Sequence, residues 1–231
     1  MLLIETTTLA PGKVDVGAVL ADPRIETTAL AFSVAPARLV PAGDKSVCVL
    51  QYEAATVLWN AKAYVGSQDA TTCVIAVFVC KRGCTVLHFD ENTVHNEEYL
   101  RHALRLAKGG AKLYLVGGYA DEQGISFCIV ESLLSWLHKQ QSRFTICLAF
   151  VLGHNTRMKN VGGNLLVPVP VVAGVCVTPE SDVIPALFED RGPMLTQRMC
   201  RFITGCGTTT DLVFTDTGEF TVEPWNFSTQ A

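Results

Sequence analysis

The sequence predicts an α+β protein, a single domain in which mixed sheets are flanked by a few helices. Two patterns carry that expectation. Short apolar runs rich in β-branched residues recur between turn residues, as in Val74-Ile75-Ala76-Val77-Phe78-Val79 and Phe144 to Leu152. Between them stand segments with apolar residues at helical spacing, Asn96 to Lys108 and Ser126 to Lys139. The composition agrees: 49% hydrophobic against 17% charged residues, over 231 positions, supports a large core and argues against disorder.

Taken in order, residues 1–231 read as one domain with an irregular N-terminal segment over 1–45, rich in Ala, Thr and Pro. Within it, Leu2 to Glu5 suits a strand and Asp15 to Leu20 a helical turn. Ser46 to Tyr52 and Thr56 to Val65 read as strands, and Gly66 frees the chain to turn before Ser67. Val74 to Val79 and Thr85 to His88 form a hairpin about Lys81-Arg82-Gly83. Leu100, Ala103, Leu104 and Ala107 then mark one face of a helix that Gly109-Gly110 ends. Lys112 to Gly117, the helix Ser126 to Lys139 and Phe144 to Leu152 make a βαβ unit. Asn160 to Pro179 carries no formal charge, but glycines and prolines break it, so it reads as an edge strand and a buried strand. Val183 to Phe188 continues the β content. A helix over Pro193 to Ile203 follows, with strands Asp211 to Thr215 and Phe220 to Glu223 about an Asp216-Thr217-Gly218 turn.

The stretch with the most chemistry runs from Ser67 to His88. A polar loop, Ser67-Gln68-Asp69-Ala70-Thr71-Thr72, delivers Cys73 to the start of an apolar strand, and the return strand ends on His88. A turn midway between Cys73 and His88 would set them opposite each other, although the obvious turn residues lie one or two positions later and imply an offset or bulge. A thiol becomes a good nucleophile when an imidazole takes its proton, and a third group usually fixes the imidazole's tautomer. The competing reading of Cys73 is a buried structural thiol.

The net charge of −4 and the lack of a basic run argue against nucleic acid or a membrane as principal partner. Leu2-Leu3-Ile4 has no basic flank and Glu5 interrupts it, which is unlike a signal peptide. Nine cysteines, mostly inside apolar runs, fit free thiols in a reducing compartment, the cytoplasm or also the nucleus. Cys80 and Cys84 have no second pair at ligand spacing, so no metal is expected. Gly117-Gly118 reads either as a tight turn or as a wall close to the active site. Asp190-Arg191 suggests an ion pair capping the helix after Pro193.

Ser67-x-Asp-Ala-Thr-Thr-Cys73 resembles the active-site segment of the protein N-terminal asparagine amidohydrolase family. Leu113-Tyr114-Leu115-Val116-Gly117-Gly118-Tyr119 with Asp121, Phe188-Glu189-Asp190-Arg191-Gly192-Pro193, Leu2-Leu3-Ile4-Glu5 and Pro224-Trp225 resemble further stretches of that family, in its order. The resemblance implies an α-β-β sandwich like the cytotoxic-necrotizing-factor and chemoreceptor-deamidase types. It implies a triad of Cys73 as nucleophile, His88 as base and Ser67 as orienting group. It further implies deamidation of a free N-terminal Asn to Asp, which feeds arginylation and degradation, with no cofactor. Two departures stand out: a slightly shorter Cys-to-His interval, and an end soon after Pro224-Trp225 where family members often continue. Asp69 and Glu5 are candidates to bind the substrate's α-ammonium, and Gly118 to shape its slot. A glutamine deamidase of the same fold and a non-catalytic interaction module stay open as alternatives. Oligomeric state is not legible.

Overall fold

The computed structural model describes residues 1–4, 7–8, 14–43, 45–163, 165–171, 174–196, 198–199, 210–214 and 220–222. The chain opens with β1 (Leu2–Ile4), β2 (Thr7–Thr8), α1 (Val16–Leu20), α2 (Pro23–Val34) and β3 (Arg38–Val40). Next come β4 (Ser46–Val49), β5 (Glu53–Leu58), β6 (Tyr64–Ser67), β7 (Val74–Val79), β8 (Gly83–Phe89) and α3 (Glu97–Arg101). Then β9 (Ala111–Tyr119), α4 (Ile125–Lys139) and β10 (Phe144–Leu152) form the parallel βαβ unit. The hairpin β11 (Thr156–Asn160) and β12 (Leu166–Pro170) precedes β13 (Val175–Val177) and β14 (Val183–Phe188). Last are β15 (Thr210–Phe214) and β16 (Phe220–Val222).

Among the described residues these strands make a nine-stranded mixed sheet, ordered β16-β15-β5-β8-β7-β9-β10-β1-β2, and a five-stranded one, ordered β3-β14-β13-β6-β4, besides the two-stranded hairpin. The apolar run of β7 is unbroken because both its faces are covered. Val74, Ala76 and Phe78 pack with Ile129, Leu133 and Leu137 of α4, whereas Ile75 and Val77 pack with Val47, Val65 and Val175 of the second sheet. α4, the large sheet and the small sheet are thus successive layers of an α-β-β sandwich, while α2 sends Ala29 and Phe32 into the core on the small-sheet side.

Four expectations need correction. The helical turn at Asp15 to Leu20 is present as α1, but residues 23–34 are not irregular: Asp22 caps α2, and its Ile25, Ala29 and Phe32 are buried. Thr56 to Val65 is not one strand. A 3₁₀ turn at Trp59–Ala61 and Lys62 at φ 54° carry the chain from the large sheet to the small one. The helix over 96–108 breaks after Arg101 into 3₁₀ turns at His102–Leu104 and Ala107–Gly109, while Tyr99, Leu100, Ala103 and Ala107 all stay in the core. The helix expected from Pro193 does not begin there: Pro193 and Met194 form a turn, with Met194 at φ 58°, residues 195–196 and 198–199 are helical, and 197 and 200–203 lie outside the described residues, as do the Asp216-Thr217-Gly218 turn and Pro224-Trp225.

Candidate active site

Ser67 and His88 meet between the two sheets, and Cys73 lies in the same inter-sheet core. Cys73 directly precedes β7, so it shares a face with Ile75 and Val77. His88 shares a face of β8 with Cys84 and Val86, which pack into the same inter-sheet core. The hairpin register is offset by two residues from the symmetric one: Ile75 pairs with His88 and Val74 with Phe89. Cys73 and His88 are therefore diagonal neighbours on one face rather than directly opposed. The turn residues decide this, since Cys84 pairs with Val79 and Cys80 N–H bonds Gly83 O.

Ser67 arrives from the facing sheet at the end of β6. Its hydroxyl donates to Val49 O at 2.5 Å, which leaves Oγ to accept from His88 Nδ1–H at 2.7 Å. That places the imidazole's proton on Nδ1 and a lone pair on Nε2. Nε2 is buried and has no hydrogen-bond partner among the described residues. A buried acceptor without a partner costs stability, and this one is free to take a proton. Burial pushes His88 down to about 4, against fields of Asp90 and Asp69 that raise it. Burial likewise pushes the Cys73 thiol up, opposed by a bond from Gln51. The resting pair is thus neutral thiol and neutral imidazole.

Four side chains whose roles the sequence did not announce, Gln51, Tyr99, Ser126 and Arg198, hold this constellation. Gln51 Nε2 donates to Cys73 Sγ at 2.9 Å. Tyr99 Oη accepts from His88 N–H at 2.9 Å and donates to Glu53 O at 2.5 Å. It enters where the β5–β8 ladder ends, one position beyond the Ala54–Leu87 pair. Ser126 Oγ donates to Thr72 O at 3.1 Å, tying α4 to the Cys73 loop, while Asp121 caps α4 through the N–H groups of Ile125 and Ser126. Arg198, fully buried, donates to both Glu53 carboxylate oxygens and to the carbonyls of Cys48 and Arg191. Tyr99 lay hidden in an apparent helix face, and a long-range pair such as Glu53–Arg198 leaves no local signal.

The loop from Ser67 to Cys73 is clamped by the chain near residue 190. Gln68 Oε1 accepts from Phe188 N–H at 2.6 Å, and Arg191 bonds the Asp69 carboxylate. Arg191 therefore turns to Asp69, and the expected Asp190–Arg191 cap gives way to a bond from Gly192 N–H to Asp190. A half-open cavity of about 490 Å³ lies here, lined by Leu50, Gln51, Gln68, Asp69, His88, Arg191, Leu195 and Met199. Gly117 and Gly118 lie inside the end of β9 with φ of 94° and 56°, not in a turn beyond it. A Cβ on Gly117 would stand 2.6 Å from Ala70 Cβ and 2.8 Å from Cys73 O, so this wall backs the cysteine loop. Gly118 faces Val74 and Ser126. Glu5 lies outside the described residues. No group of three or more His, Cys, Asp or Glu that could hold a metal ion occurs among the described residues.

Comparison with known sequences adds an independent finding. Residues 37–231 match the family described as protein N-terminal asparagine amidohydrolase. The curated protein N-terminal asparagine amidohydrolase of Sus scrofa is 29% identical over 171 residues, 70% of this chain and 49% of its own length. That of Arabidopsis thaliana is 28% identical over 167 residues, 63% of this chain and 47% of its own. That of Homo sapiens is 26% identical over 173 residues, 71% of this chain and 54% of its own. The chain spans about half the length of the curated relatives it matches.

Proposed function

This chain belongs to the protein N-terminal asparagine amidohydrolase family, and on that premise we propose that it is a cysteine-dependent side-chain amidase converting N-terminal asparagine to aspartate. The observation that carries the reading is the unpartnered, buried Nε2 of His88, whose tautomer Ser67 fixes, on the same sheet face as Cys73. Cys73 Sγ attacks the side-chain carboxamide carbon as its proton passes to His88 Nε2. The carbon–nitrogen bond then breaks while His88 returns that proton to nitrogen, releasing ammonia and leaving a thioester. Water attacks the thioester carbon and gives a proton to His88, the carbon–sulfur bond breaks, and sulfur recovers the proton. The product is an N-terminal aspartate, which would enter arginylation-dependent degradation in the cytoplasm.

Selectivity for a chain end needs an acid for the α-ammonium, because a desolvated cation without a partner opposes binding. Asp69 lines the cavity and is 66% exposed at its side chain while bonded to Arg191. A solvent-screened, shared carboxylate contributes modestly, so Asp69→Asn is expected to lower turnover of a free-amine peptide by roughly tenfold. The deciding experiment incubates Asn-starting, N-acetylated Asn-starting, Gln-starting and internal-Gln peptides with the protein and reads conversion by mass spectrometry. Conversion confined to the free-amine Asn peptide, abolished in Cys73→Ala, is the expected result. Equal conversion of the acetylated peptide would overturn chain-end specificity, conversion of internal Gln would favour a glutamine deamidase, and no conversion at all would favour an interaction module. Wild type and Asp69→Asn on both Asn peptides form a double-mutant cycle that isolates the Asp69–amine pair.

A further inference from the structure

Gln51 stands on an unusually well-fixed turn. Glu53 N–H bonds Leu50 O at 3.1 Å, and the Glu53 carboxylate in return accepts from Leu50 N–H at 2.8 Å. The next residue, Tyr52, takes a left-handed φ of 63°, and Arg198 holds the Glu53 carboxylate from the other side. The turn thus presents the Gln51 side chain as a preset donor. It reaches Cys73 Sγ at 2.9 Å and also lines the cavity that contains His88.

The chemistry of the proposed reaction requires a donor at that place. During attack, negative charge leaves sulfur and collects on the carboxamide oxygen, which in the adduct lies two bonds from that sulfur. An N–H already bonded to sulfur is within reach of this oxygen, and a neutral side-chain amide gains no proton that would quench the nucleophile. Donors fixed before reaction stabilise developing charge without reorganisation. Backbone N–H groups near the cysteine could share the task, but Gln51 is the side chain bonded to the reacting atom.

We propose that Gln51 is a catalytic residue, its side-chain N–H holding Cys73 sulfur before attack and the substrate oxyanion after it; the oxyanion half rests on the amidase reading above. The test pairs two readouts. Alkylation of Cys73 by iodoacetamide, followed at that residue by mass spectrometry across neutral and alkaline pH, reads the sulfur without any substrate. Turnover of the free-amine Asn peptide reads the oxyanion. Charged and titratable groups whose fields reach the sulfur are Asp90, Glu91, Tyr52 and Tyr99, and they are the same in every variant.

Gln51→Met keeps the length and removes the donor without adding a charge, while Gln51→Asn keeps the amide one methylene short. Both are expected to move the alkylation profile to higher pH, and to lower kcat by ~10²–10³-fold with KM little changed. Circular dichroism confirms that each variant is folded, and two variants guard against the failure of one. A wild-type alkylation profile in both variants overturns the proposal, as does wild-type kcat in both. If the unsubstituted chain releases no ammonia yet the alkylation profile still shifts, the sulfur-holding role stands and the amidase reading fails instead.

Discussion

Burial acts on His88 and Cys73 in opposite directions, and both effects have measurable signs. His88 is held at about 4, below the ordinary 6.5 of an unfolded imidazole. As pH falls the unfolded chain therefore takes up this proton first. The stability this group leaves intact above 6.5 is lost progressively as pH falls toward 4, by at most about 3 kcal/mol. Urea unfolding at neutral and mildly acid pH should show a steeper acid loss in wild type than in His88→Gln. Parallel losses would mean that His88 does not titrate as its burial requires. Among the thiols, Cys80 is pushed up to about 11 and Cys84 further still, both by burial first. Both sit at the turn end of the hairpin, away from the Ile75–His88 end beside Cys73, so Cys80→Ala and Cys84→Val should leave peptide deamidation within a few-fold of wild type, whereas Cys73→Ala should abolish it. A folded Cys80→Ala protein without deamidation would move the nucleophile to Cys80. One loop and one hairpin single out Cys73 and His88 in the sequence, whereas Ser67 as a third member followed only from the family resemblance. Gln51 and Tyr99 were not legible, since an amide on a short turn and a tyrosine among apolar helix positions carry no local mark of their partners.

At the scale of single elements, the glycine pair at the end of β9 is a steric requirement imposed by its neighbour. Gly117 lies at φ 94°, and an added Cβ would collide with Ala70 Cβ and Cys73 O. Gly124, at the start of α4, also has a positive φ of 71° but nothing within 4 Å of the added carbon. Gly124→Ala therefore isolates backbone strain, about 1–2 kcal/mol. Gly117→Ala adds a clash with backbone to the same strain, so it should cost more in thermal unfolding and should also slow alkylation of Cys73. Equal costs with unchanged Cys73 reactivity would show that the wall does not set the loop. The hairpin illustrates how far element-level reading reaches. Its existence followed from two apolar runs about a turn, but its register followed from a bond that only the turn geometry creates, Cys80 N–H to Gly83 O. The helix over 96–108 had the right apolar spacing, and its first turn carries Tyr99 to Glu53 and His88, but the regular helix stops at Arg101.

Across the whole molecule, the layers were legible because a strand apolar on both faces needs two covers, and the sequence also supplied helices and further strands. What it hid is the connection between layers. The buried Glu53–Arg198 pair joins the turn carrying Gln51 to the stretch carrying Arg191, across 145 residues. Arg198→Met leaves the Glu53 carboxylate buried beside Leu50 N–H alone, and removing one partner of such a pair costs about 3–5 kcal/mol. Adding Glu53→Gln removes the stranded charge, so the double variant should regain part of that stability. It should not regain turnover, because the carbonyls of Cys48 and Arg191 stay without their guanidinium and the Arg191 stretch loses its tie to the Gln51 turn. Thermal unfolding and peptide deamidation on the wild type, both single variants and the double separate these effects. Recovery of stability and activity together would reduce the pair to a source of stability. Recovery of stability alone would make it the joint that holds two distant halves of the site in register.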